Sequence, residues 1–406
     1  MPTTSFQTVD DLNPRQRLLV RIDVNAPVED GVVQDDRRFA RHAETVQELL
    51  ADGHAIALLA HQGRPGRETF VSLEQHAAIL SEHLDHPVEF VADTYGEVAL
   101  SAIRELEGGD VLLLENVRMC DGELPEEEPE VKAETDLVRA LAGEFDAYVN
   151  DAYPTAHRSH ASIVGFPLVV DAYAGRVMEQ EYRANTAVRE QEFDGPVTMI
   201  LGGTKAEDTI PVVERLADAV DHFCLGGVIG ELFLRADGYD LGYDVDGTDL
   251  FDHQWEDHSG AIKNILERYR NEVALPTDVA YETDGNRVET GVEGIEKDTS
   301  YLDIGSETID RYTDIVTDSD VVYVKGGVGV FEDDRFATGT VEILSAIASA
   351  DCVSVVGGGD TARAIELYGL DEDDFTRVSI AGGAYVRALT GESLVGIDAI
   401  ERGVRS

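Results

Sequence analysis

Cysteine is scarce in this chain, and long hydrophobic runs are absent from it. The three cysteines, Cys120, Cys224 and Cys352, lie far apart and do not form a paired metal-binding motif. Their arrangement is typical of reduced, largely buried thiols and predicts a cytoplasmic protein. No run of eighteen apolar residues occurs, and residues 1–10 lack the basic and apolar regions of a signal peptide. We therefore expect no membrane-spanning helix and no membrane partner.

Basic residues are also few, and the chain is strongly acidic. It has five lysines, and Lys and Arg together number 32 against 81 Asp and Glu, a net charge of −49. This charge repels nucleic acid and anionic membranes, so neither is an expected partner. Disordered chains can be as acidic, but hydrophobic residues make up 43% of this one and recur in strand-like runs. We expect a folded protein whose surface carboxylates repel one another in dilute buffer and are screened at high salt.

Short β-branched runs alternate with segments of helical periodicity along the whole chain. In the first half the predicted strands are Leu18–Val24, Ala55–Ala60, Val88–Val91, Val111–Leu114 and Ala147–Asn150. In the second half they are Val197–Leu201, Phe223–Leu225, Val273–Leu275, Val321–Val324, Val353–Val356 and Val378–Ile380. Continuous apolar strands joined by helices are typical of buried parallel sheets. The pattern predicts an α/β protein with two doubly wound, Rossmann-like parallel-sheet domains joined by a long helix and a hinge.

The break between the two domains is predicted near Gly165–Pro167. The predicted divisions are an N-terminal domain (1–167), a linker helix (168–190), a C-terminal domain (191–390) and a final segment (391–406). The helix itself is expected over Tyr173–Arg189. A return of the final segment to the N-terminal domain is left open. The acidic tract Asp121–Glu130 is predicted to be a solvated loop.

Basic and amide side chains follow strand after strand in the first half. These polar segments are Arg21–Pro27, Asp36–Arg38, His61–Pro65, Glu115–Arg118 and Asn150–His160. Because the carboxyl ends of parallel strands meet at one edge of a sheet, we expect the segments to form one site there. Arginine forks bind phosphate and carboxylate, whereas Asp23 and Asn25 suit a hydroxyl group. Arg21 is interpreted as an ion-pair partner, and His160 is left open between a ligand contact and a structural role.

Glycine-rich segments follow strands and open helices in the second half. Two such segments are Gly202-Gly203-Thr204-Lys205 and Gly357-Gly358-Gly359-Asp360-Thr361. In each, the glycines let a ligand approach the backbone closely and a helix N-terminus follows, an arrangement that suits phosphate. Neither has the spacing of a Walker A motif, and no G-x-G-x-x-G is followed by an acidic residue about 20 positions later. Asp360, at a helix start, is in the position of an N-cap. Gly226-Gly227 either lines a pocket or forms a tight turn.

Several of these motifs, in this order, resemble those of the phosphoglycerate kinase family. V-R-I-D-V-N-A-P, H-Q-G-R-P, E-N-V-R and D-A-Y-P-T-A-H-R-S-H stand in the first half, and G-G-T-K and D-I-G-S-E-T in the second. The resemblance extends from Leu18 to about Gly391, and the acidity is similar to that of haloarchaeal proteins. The family resemblance implies a monomeric enzyme of glycolysis and gluconeogenesis. Such an enzyme transfers a phosphoryl group reversibly between ATP and 3-phosphoglycerate, in line, with Mg²⁺ and with closure of two domains.

Two other functions stay open at this point. The first is a kinase for another small phosphorylated acid. The sequence alone excludes this function least well, because the identity of the acceptor rests on the family resemblance. A dinucleotide-dependent dehydrogenase is the other, since Gly357–Gly359 follows a strand, but the rest of its fingerprint is missing.

The resemblance also implies roles for individual residues. It places the acceptor substrate on Asp23, Asn25, Arg38, His61, Gly63, Arg64, Arg118, His157 and Arg158. It places the nucleotide on Gly202, Gly203, Lys205, Gly226, Lys325, Glu332, Gly357, Gly358, Gly359, Asp360 and Thr361. Within that set Asp360 is the implied Mg²⁺ ligand and Glu332 the ribose contact. Arg38, Lys205 and the amides of Gly382 and Gly383 would stabilise the transferring phosphoryl group.

The chain departs from the family pattern at several positions. Gln62 stands where Leu is usual and is expected to be a size-matched replacement. Thr209 replaces a second lysine, which removes a positive charge from the phosphate path. Lys325 replaces Asn, and it either compensates for Thr209 or forms an outward ion pair. The remaining departures are Gly327, Ile380 and Ala381.

Overall fold

The chain divides into two compact units. The structure, a computed structural model, describes residues 5–35, 37–190, 193–241, 250–296 and 299–403. Unit 1 comprises Met1–Arg183 and Glu392–Ser406, and unit 2 comprises Ala184–Gly391. The end of the predicted final segment, 404–406, lies outside the described residues. Within the described part of the chain, no helix has the length and apolar character needed to span a membrane.

Unit 1 is built around a parallel sheet of six strands. The strands of unit 1, including two outside this sheet, are β1 (Arg17–Arg21), β2 (Val28–Glu29), β3 (Val32–Val33), β4 (Ala55–Leu59), β5 (Glu89–Val91), β6 (Val111–Leu114), β7 (Ala147–Asn150) and β8 (Ala172–Ala174). The sheet order is β5-β6-β4-β1-β7-β8, while β2 and β3 form a separate hairpin. In the register of the central strands, Leu18 lies between Ile56 and Ala147. These strands are almost continuously apolar, as buried parallel strands require.

The helices of unit 1 pack apolar residues against this sheet. They are α1 (Arg37–Ala51), α2 (Glu74–Leu84), α3 (Glu97–Glu105), α4 (Pro129–Ala133) and α5 (Asp136–Leu141). A further helix, α6 (Arg176–Glu190), begins in unit 1 and ends in unit 2. In α1, Phe39, Val46 and Leu49 recur at helical spacing and join Leu18 and Leu58 in one buried cluster.

The linker helix begins later than predicted. It starts at Arg176, so the prediction of a helix from residue 168, or from Tyr173, is wrong at that end. Tyr173 lies in β8, which pairs in parallel with β7. The start of the helix is set by Asp151, whose Oδ1 accepts two hydrogen bonds from the first turn of α6, at 2.8 and 3.3 Å.

Unit 2 has a second parallel sheet of six strands and a smaller antiparallel sheet. Its strands are β9 (Val197–Leu201), β10 (His222–Leu225), β11 (Val273–Ala274), β12 (Asp278–Thr283), β13 (Asn286–Gly291), β14 (Tyr301–Ile304), β15 (Val321–Lys325), β16 (Val353–Gly357) and β17 (Arg377–Val378). Its helices are α7 (Ala206–Leu216), α8 (Gly227–Ala236), α9 (Leu250–Arg268), α10 (Ser306–Thr317), α11 (Thr338–Ser349), α12 (Gly359–Leu367) and α13 (Gly383–Thr390). The parallel order is β11-β10-β9-β15-β16-β17. The prediction of two doubly wound parallel sheets is confirmed.

The antiparallel sheet of unit 2 was not predicted. Its order is β13-β12-β14, and the β12–β13 hairpin turns at Asp284 and Gly285, whose φ angles are 51° and 79°. An Asp-Gly pair between two strands is a strong hairpin signal, because both positions need positive φ. That signal was available in the sequence.

The last helix, α14 (Val395–Arg402), belongs to unit 1. Gly396 N donates to Ala156 O at 2.8 Å, and a Cβ at Gly396 would lie 2.9 Å from the Ile163 side chain. A larger residue here would push against the segment after β7 where this helix crosses it.

Candidate active site

A buried polar cluster lies at the carboxyl ends of the central strands of unit 1. Asp23, His61 and Arg118 follow β1, β4 and β6, which are neighbours in the sheet. Asp23 and His61 are only 3% and 2% exposed. Burial alone would raise the pKa of Asp23, but electrostatic interactions, first with His61 and then with Arg38 and Arg21, lower that pKa to about 2. Asp23 is therefore a carboxylate at neutral pH.

The ring of His61 is held in one tautomer by Arg21. Arg21 Nη2 lies 2.9 Å from His61 Nδ1. A guanidinium can only donate, so Nδ1 accepts and the ring proton is on Nε2. Burial lowers the pKa of His61 well below 6.5; the charge of Asp23 opposes this shift, and the charges of Arg21 and Arg118 add to it. Neutral His61 thus offers Nε2–H as a donor.

Arg21 is not the carboxylate partner that the sequence suggested. Besides His61, it donates to Ser162 Oγ at 3.0 Å and to Ile22 O. Ser162 Oγ donates in turn to Glu123 at 2.7 Å, so the carboxylate is reached only through a hydroxyl. Arg21 is a positioning residue for the His61 ring.

Asn25, Gly63 and Arg38 are tied together through the backbone. Asn25 Oδ1 accepts from Gly63 N at 2.8 Å, and Arg38 Nη1 donates to Asn25 O at 3.1 Å. Arg118 Nη1 donates to Gly63 O at 2.5 Å, and burial is the main cause that lowers the pKa of Arg118 to about 10. Gly63 has φ +65°, and a Cβ there would lie 2.3 Å from Thr69 O. No other residue fits at this position without rearrangement.

The other predicted residues of unit 1 are more exposed. Arg64 is exposed and His157 is half-buried. Arg158 is also partly exposed, and its Nη1 pairs with Glu126 Oε1 at 3.0 Å. His160, in contrast, is buried, and burial lowers its pKa to about 3, so its ring is neutral.

Gln62 is a polar junction rather than a size-matched replacement for Leu. Its Oε1 accepts from Ala26 N and His76 Nε2, both at 3.0 Å. Its Nε2 donates to Ala26 O at 2.9 Å and to Thr69 O at 3.2 Å. Both side chains are buried, and burial lowers the pKa of His76 to about 4, so this ring is neutral.

Replacement of Gln62 by Leu is expected to lower the free energy of unfolding by about 3 kcal/mol, because several buried polar groups lose their partners. Urea unfolding in concentrated KCl measures this. Gln47→Leu, on the exposed face of α1, is the matched control and should change the free energy by no more than about 0.5 kcal/mol. Adding His76→Leu should recover part of the loss. Equal changes in the free energy of unfolding for Q62L and Q47L would show that the hydrogen bonds of Gln62 do not stabilise the fold.

In unit 2 a cavity of about 220 Å³ opens at the carboxyl edge of the large sheet. It lies at the N-termini of α7, α12 and α13. The predicted residues that line it are Gly202, Gly203, Lys205, Lys325, Gly358, Gly359, Asp360, Thr361, Gly382 and Gly383. Helix N-termini present free N–H groups and positive dipole ends, so the cavity suits an anion such as phosphate.

Three predicted nucleotide residues do not line this cavity. Gly357 packs under the Tyr385 ring, and Gly226 packs against Val328 at the start of α8. Glu332 is exposed and borders neither this cavity nor the narrow cleft beside Gly227 and Tyr301.

Two backbone segments meet closely at the cavity floor. Gly203 N donates to Gly327 O at 2.8 Å, and a Cβ on Gly202 would lie 2.2 Å from the same oxygen. The two departures at Ile380 and Ala381 are buried, while the following Gly382 and Gly383 face the cavity. The departures therefore leave the glycine surface intact.

Lys325 enters the same cavity as Lys205. Its Nζ lies 3.3 Å from Asp208 Oδ2, and its side chain is only 15% exposed. Lys325 thus forms an ion pair, as the alternative held, but the pair faces the cavity and not outward, because Asp208 also lines the cavity. Thr209 is fully buried in the first turn of α7 and contributes no charge.

Asp360 stands in the first turn of α12 but does not cap it. The N-cap is Gly358, with φ +95°, and no side-chain bond caps the helix. Thr361 Oγ1 accepts from Gly326 N at 2.9 Å, which joins this turn to the β15 loop. The exposed carboxylate of Asp360 is left facing the cavity.

Two residues that line the cavity, and one that supports its glycine loop, were missed by sequence reasoning. Asp208 and Tyr385 line the cavity. Gln254, from α9, braces the glycine loop, because its Oε1 accepts from Ala206 N at 2.6 Å and its Nε2 donates to Thr204 O. Asp208 lies three positions after Lys205 at the start of α7, so its place in the cavity was only weakly indicated by the sequence. Nothing in the sequence connects Gln254 with a loop so far away.

The chain resembles known proteins along nearly its whole length. The family model described as phosphoglycerate kinase matches residues 9–392. Phosphoglycerate kinases of the haloarchaea Haloarcula marismortui and Halorubrum lacusprofundi are each 62% identical over 399 residues, covering 98% of this chain and 100% and 98% of theirs. The crystal structure of phosphoglycerate kinase from Pyrococcus horikoshii matches with a TM-score of 0.90 at 32% identity, covering 98% of both chains. The structure of phosphoglycerate kinase from Coxiella burnetii matches with a TM-score of 0.81 at 30% identity, covering 97% of this chain and 98% of that one.

Proposed function

Because the chain belongs to the phosphoglycerate kinase family, we propose that its two polar sites bind the two substrates of that reaction. The protein is a kinase that transfers a phosphoryl group between ATP and 3-phosphoglycerate, a step of glycolysis. Neither a dehydrogenase nor a kinase for another acid is supported. The observation that carries the site proposal is the cavity of unit 2, which combines Lys205, Lys325 and Asp360 with glycines at three helix N-termini. Such amides and ammonium groups bind nucleotide phosphates.

The cluster in unit 1 is proposed to hold 3-phosphoglycerate. Ionised Asp23 accepts from the substrate hydroxyl, and neutral His61 donates from Nε2. Arg118 and Arg158 supply guanidinium groups for its anionic ends. The remaining proposed contacts are Asn25, Arg38, Gly63, Arg64 and His157.

Asp360 is proposed as the protein ligand of Mg²⁺. Its carboxylate is not used for capping, and hard oxygen ligands are those that Mg²⁺ prefers. Among the described residues, no three His, Cys, Asp or Glu side chains are grouped as a metal site. Most ligands would then come from nucleotide phosphates and water, and the bound ion would neutralise phosphate charge.

We propose that transfer depends on a hinge movement. Arg38 belongs to unit 1 and Lys205 to unit 2, yet both are assigned to the same phosphoryl group. In-line transfer needs reacting atoms about 3 Å apart and little water. The chain crosses between the units inside α6 and at Gly391–Glu392, where the hinge is placed. Small-angle scattering should show compaction only with both substrates present, and an unchanged radius of gyration would count against the hinge.

Lys325 is proposed to supply the charge that Thr209 lacks. Replacement of Lys325 by Met is expected to raise KM for ATP roughly tenfold, the size of a lost hydrogen bond to a charged group. Asp208→Asn is the matched control, because it breaks the same ion pair and leaves the ammonium in place. It should leave KM for ATP unchanged or lower it. Equal increases in KM for K325M and D208N would show that the pair is only structural.

The activity and its setting are tested together by phosphorus NMR. We propose a cytoplasmic monomer that works at high salt, in keeping with its net charge of −49 and its haloarchaeal relatives. Mg-ATP and 3-phosphoglycerate are supplied in concentrated KCl and in dilute buffer, and the acyl phosphate product is trapped with hydroxylamine. ADP formation that needs both 3-phosphoglycerate and salt is expected. Full turnover without salt would refute the salt requirement, and no turnover in either buffer would refute the assigned substrates.

A further inference from the structure

Residues 121–130, here called the acidic strap, are docked on the segment that follows β7. The prediction of a solvated loop is wrong for Glu123, which is completely buried and accepts from Ser162 N at 2.8 Å and Ser162 Oγ at 2.7 Å. The fully buried Lys132 donates to Gly122 O at 2.6 Å. Ser159 Oγ donates to Glu127 O near the other end. The acidic strap is thus anchored on both sides of its exposed middle.

Glu126, in that exposed middle, holds Arg158. Its Oε1 lies 3.0 Å from Arg158 Nη1, and its Oε2 accepts from Ser159 N at 3.4 Å. A single carboxylate thereby takes a guanidinium and a backbone N–H, the donors that commonly bind an oxyanion. Although burial opposes ionisation, these hydrogen bonds hold the pKa of Glu126 below its ordinary value. Glu126 is charged at neutral pH.

We propose that Glu126 is an internal competitor for Arg158, which the phosphate group of 3-phosphoglycerate must displace, so that Glu126 sets the affinity for that substrate. The inference rests on the proposed function, which assigns Arg158 to the substrate. The side chains of Arg158 and Glu126 are 40% and 47% exposed, so an incoming phosphate reaches the guanidinium directly. Glu123, the buried anchor of the acidic strap, need not move, because the phosphate replaces only the exposed carboxylate of Glu126.

The competition affects substrate binding and not the chemical step. In the free enzyme Glu126 occupies Arg158, whereas in the substrate complex the phosphate does. Removing the Glu126 charge therefore destabilises the free enzyme relative to the substrate complex, while the contacts within the complex stay the same. A partly exposed ion pair contributes a factor of about two to five to an equilibrium constant. KM for 3-phosphoglycerate should fall by this factor, while kcat stays the same.

The experiment compares Glu126→Gln with Glu128→Gln in the same KCl concentration. Both substitutions remove one negative charge from the acidic strap. The Glu128 side chain is exposed and has no hydrogen bond or ion pair with the described residues. We expect KM for 3-phosphoglycerate to be about two- to fivefold lower in E126Q and unchanged in E128Q. KM for ATP should match the unsubstituted enzyme in both variants.

Three outcomes would overturn the inference. Equal decreases in KM would mean that any strap charge acts at long range. An unchanged or raised KM in E126Q would mean that Glu126 does not compete, or that it positions Arg158 for binding. Arg158→Ala separates this failure from that of the proposed function. If R158A leaves KM unchanged, the assignment of Arg158 fails and the inference with it. If R158A raises KM but E126Q does not lower it, only the inference fails.

Discussion

Replacement of Lys205 by Ala is expected to lower kcat about 10²–10³-fold. Lys205 immediately precedes α7 and lines the cavity with the glycine loops. Its ammonium makes no ion pair in the part of the chain that the structure describes, although the chain has 81 acidic residues. In the proposed mechanism it is available to the oxygens of the transferring group, where a positioned charge is worth more than in water if closure excludes solvent.

Steady-state kinetics with Lys263→Ala as a control tests this expectation. Lys263 is one of the other four lysines, and its ammonium lies over the Trp255 ring, 5.3 Å from the centroid and away from the cavity. K263A removes the same charge from unit 2 and should keep kcat. K205R should recover only part of the activity, since a planar fork replaces a point charge. Similar kcat values for K205A and K263A would remove Lys205 from the site.

Replacement of Arg38 by Ala is expected to have an effect of the same order, about 10²–10³-fold on kcat. Arg38 is the second residue of α1, and its Nη1 donates to Asn25 O at 3.1 Å. Its charge also helps to lower the pKa of Asp23. Under the proposed assignment, loss of Arg38 removes a charge that stabilises the transition state and also raises the pKa of Asp23, a proposed substrate contact. The decrease in kcat should exceed the rise in KM for 3-phosphoglycerate, because the charge matters most as the phosphoryl group transfers.

Arg37→Ala is the control for Arg38. Arg37 precedes it on α1, and a helix turns about 100° per residue, so the two side chains leave the helix in different directions. R37A should retain most of kcat, and R38K should be intermediate because it keeps the charge without the fork. Urea unfolding of each variant in KCl checks that the fold is kept. Equal losses in R37A and R38A would point to net charge and not to the site.

The positions of the two proposed ligand sites could be predicted from the sequence, because parallel strands bring the residues at their carboxyl ends to one edge of the sheet. Asp23, His61 and Arg118 come after three strands, and adjacent parallel strands end at the same edge. Lys205 and Asp360 are brought to one cavity by the same rule in unit 2. Neither conclusion needs a known distance between side chains, because strand order and the right-handed crossover already limit the arrangement.

The partners of individual side chains could not be predicted in this way. Arg21 looked like an ion-pair residue, yet it fixes the tautomer of His61. The sequence left Lys325 open between the phosphate site and an outward ion pair, and only the position of Asp208 in the cavity decided its direction. The direction of a long side chain depends on which groups lie within about 3 Å of its tip, and sequence spacing does not contain that information.

The sequence by itself determined the fold class, the strand positions and the chemical types at the two sites, because periodicity and strand ends are local properties. The tertiary structure alone decided which polar groups meet. It paired Gln62 with His76, which makes one departure from the family pattern depend on a residue in α2. It also brought Glu126 to Arg158 across 32 positions of sequence. Buried or charged groups must find partners in space, since an unpaired one is costly, and the folded chain sets which partners are near.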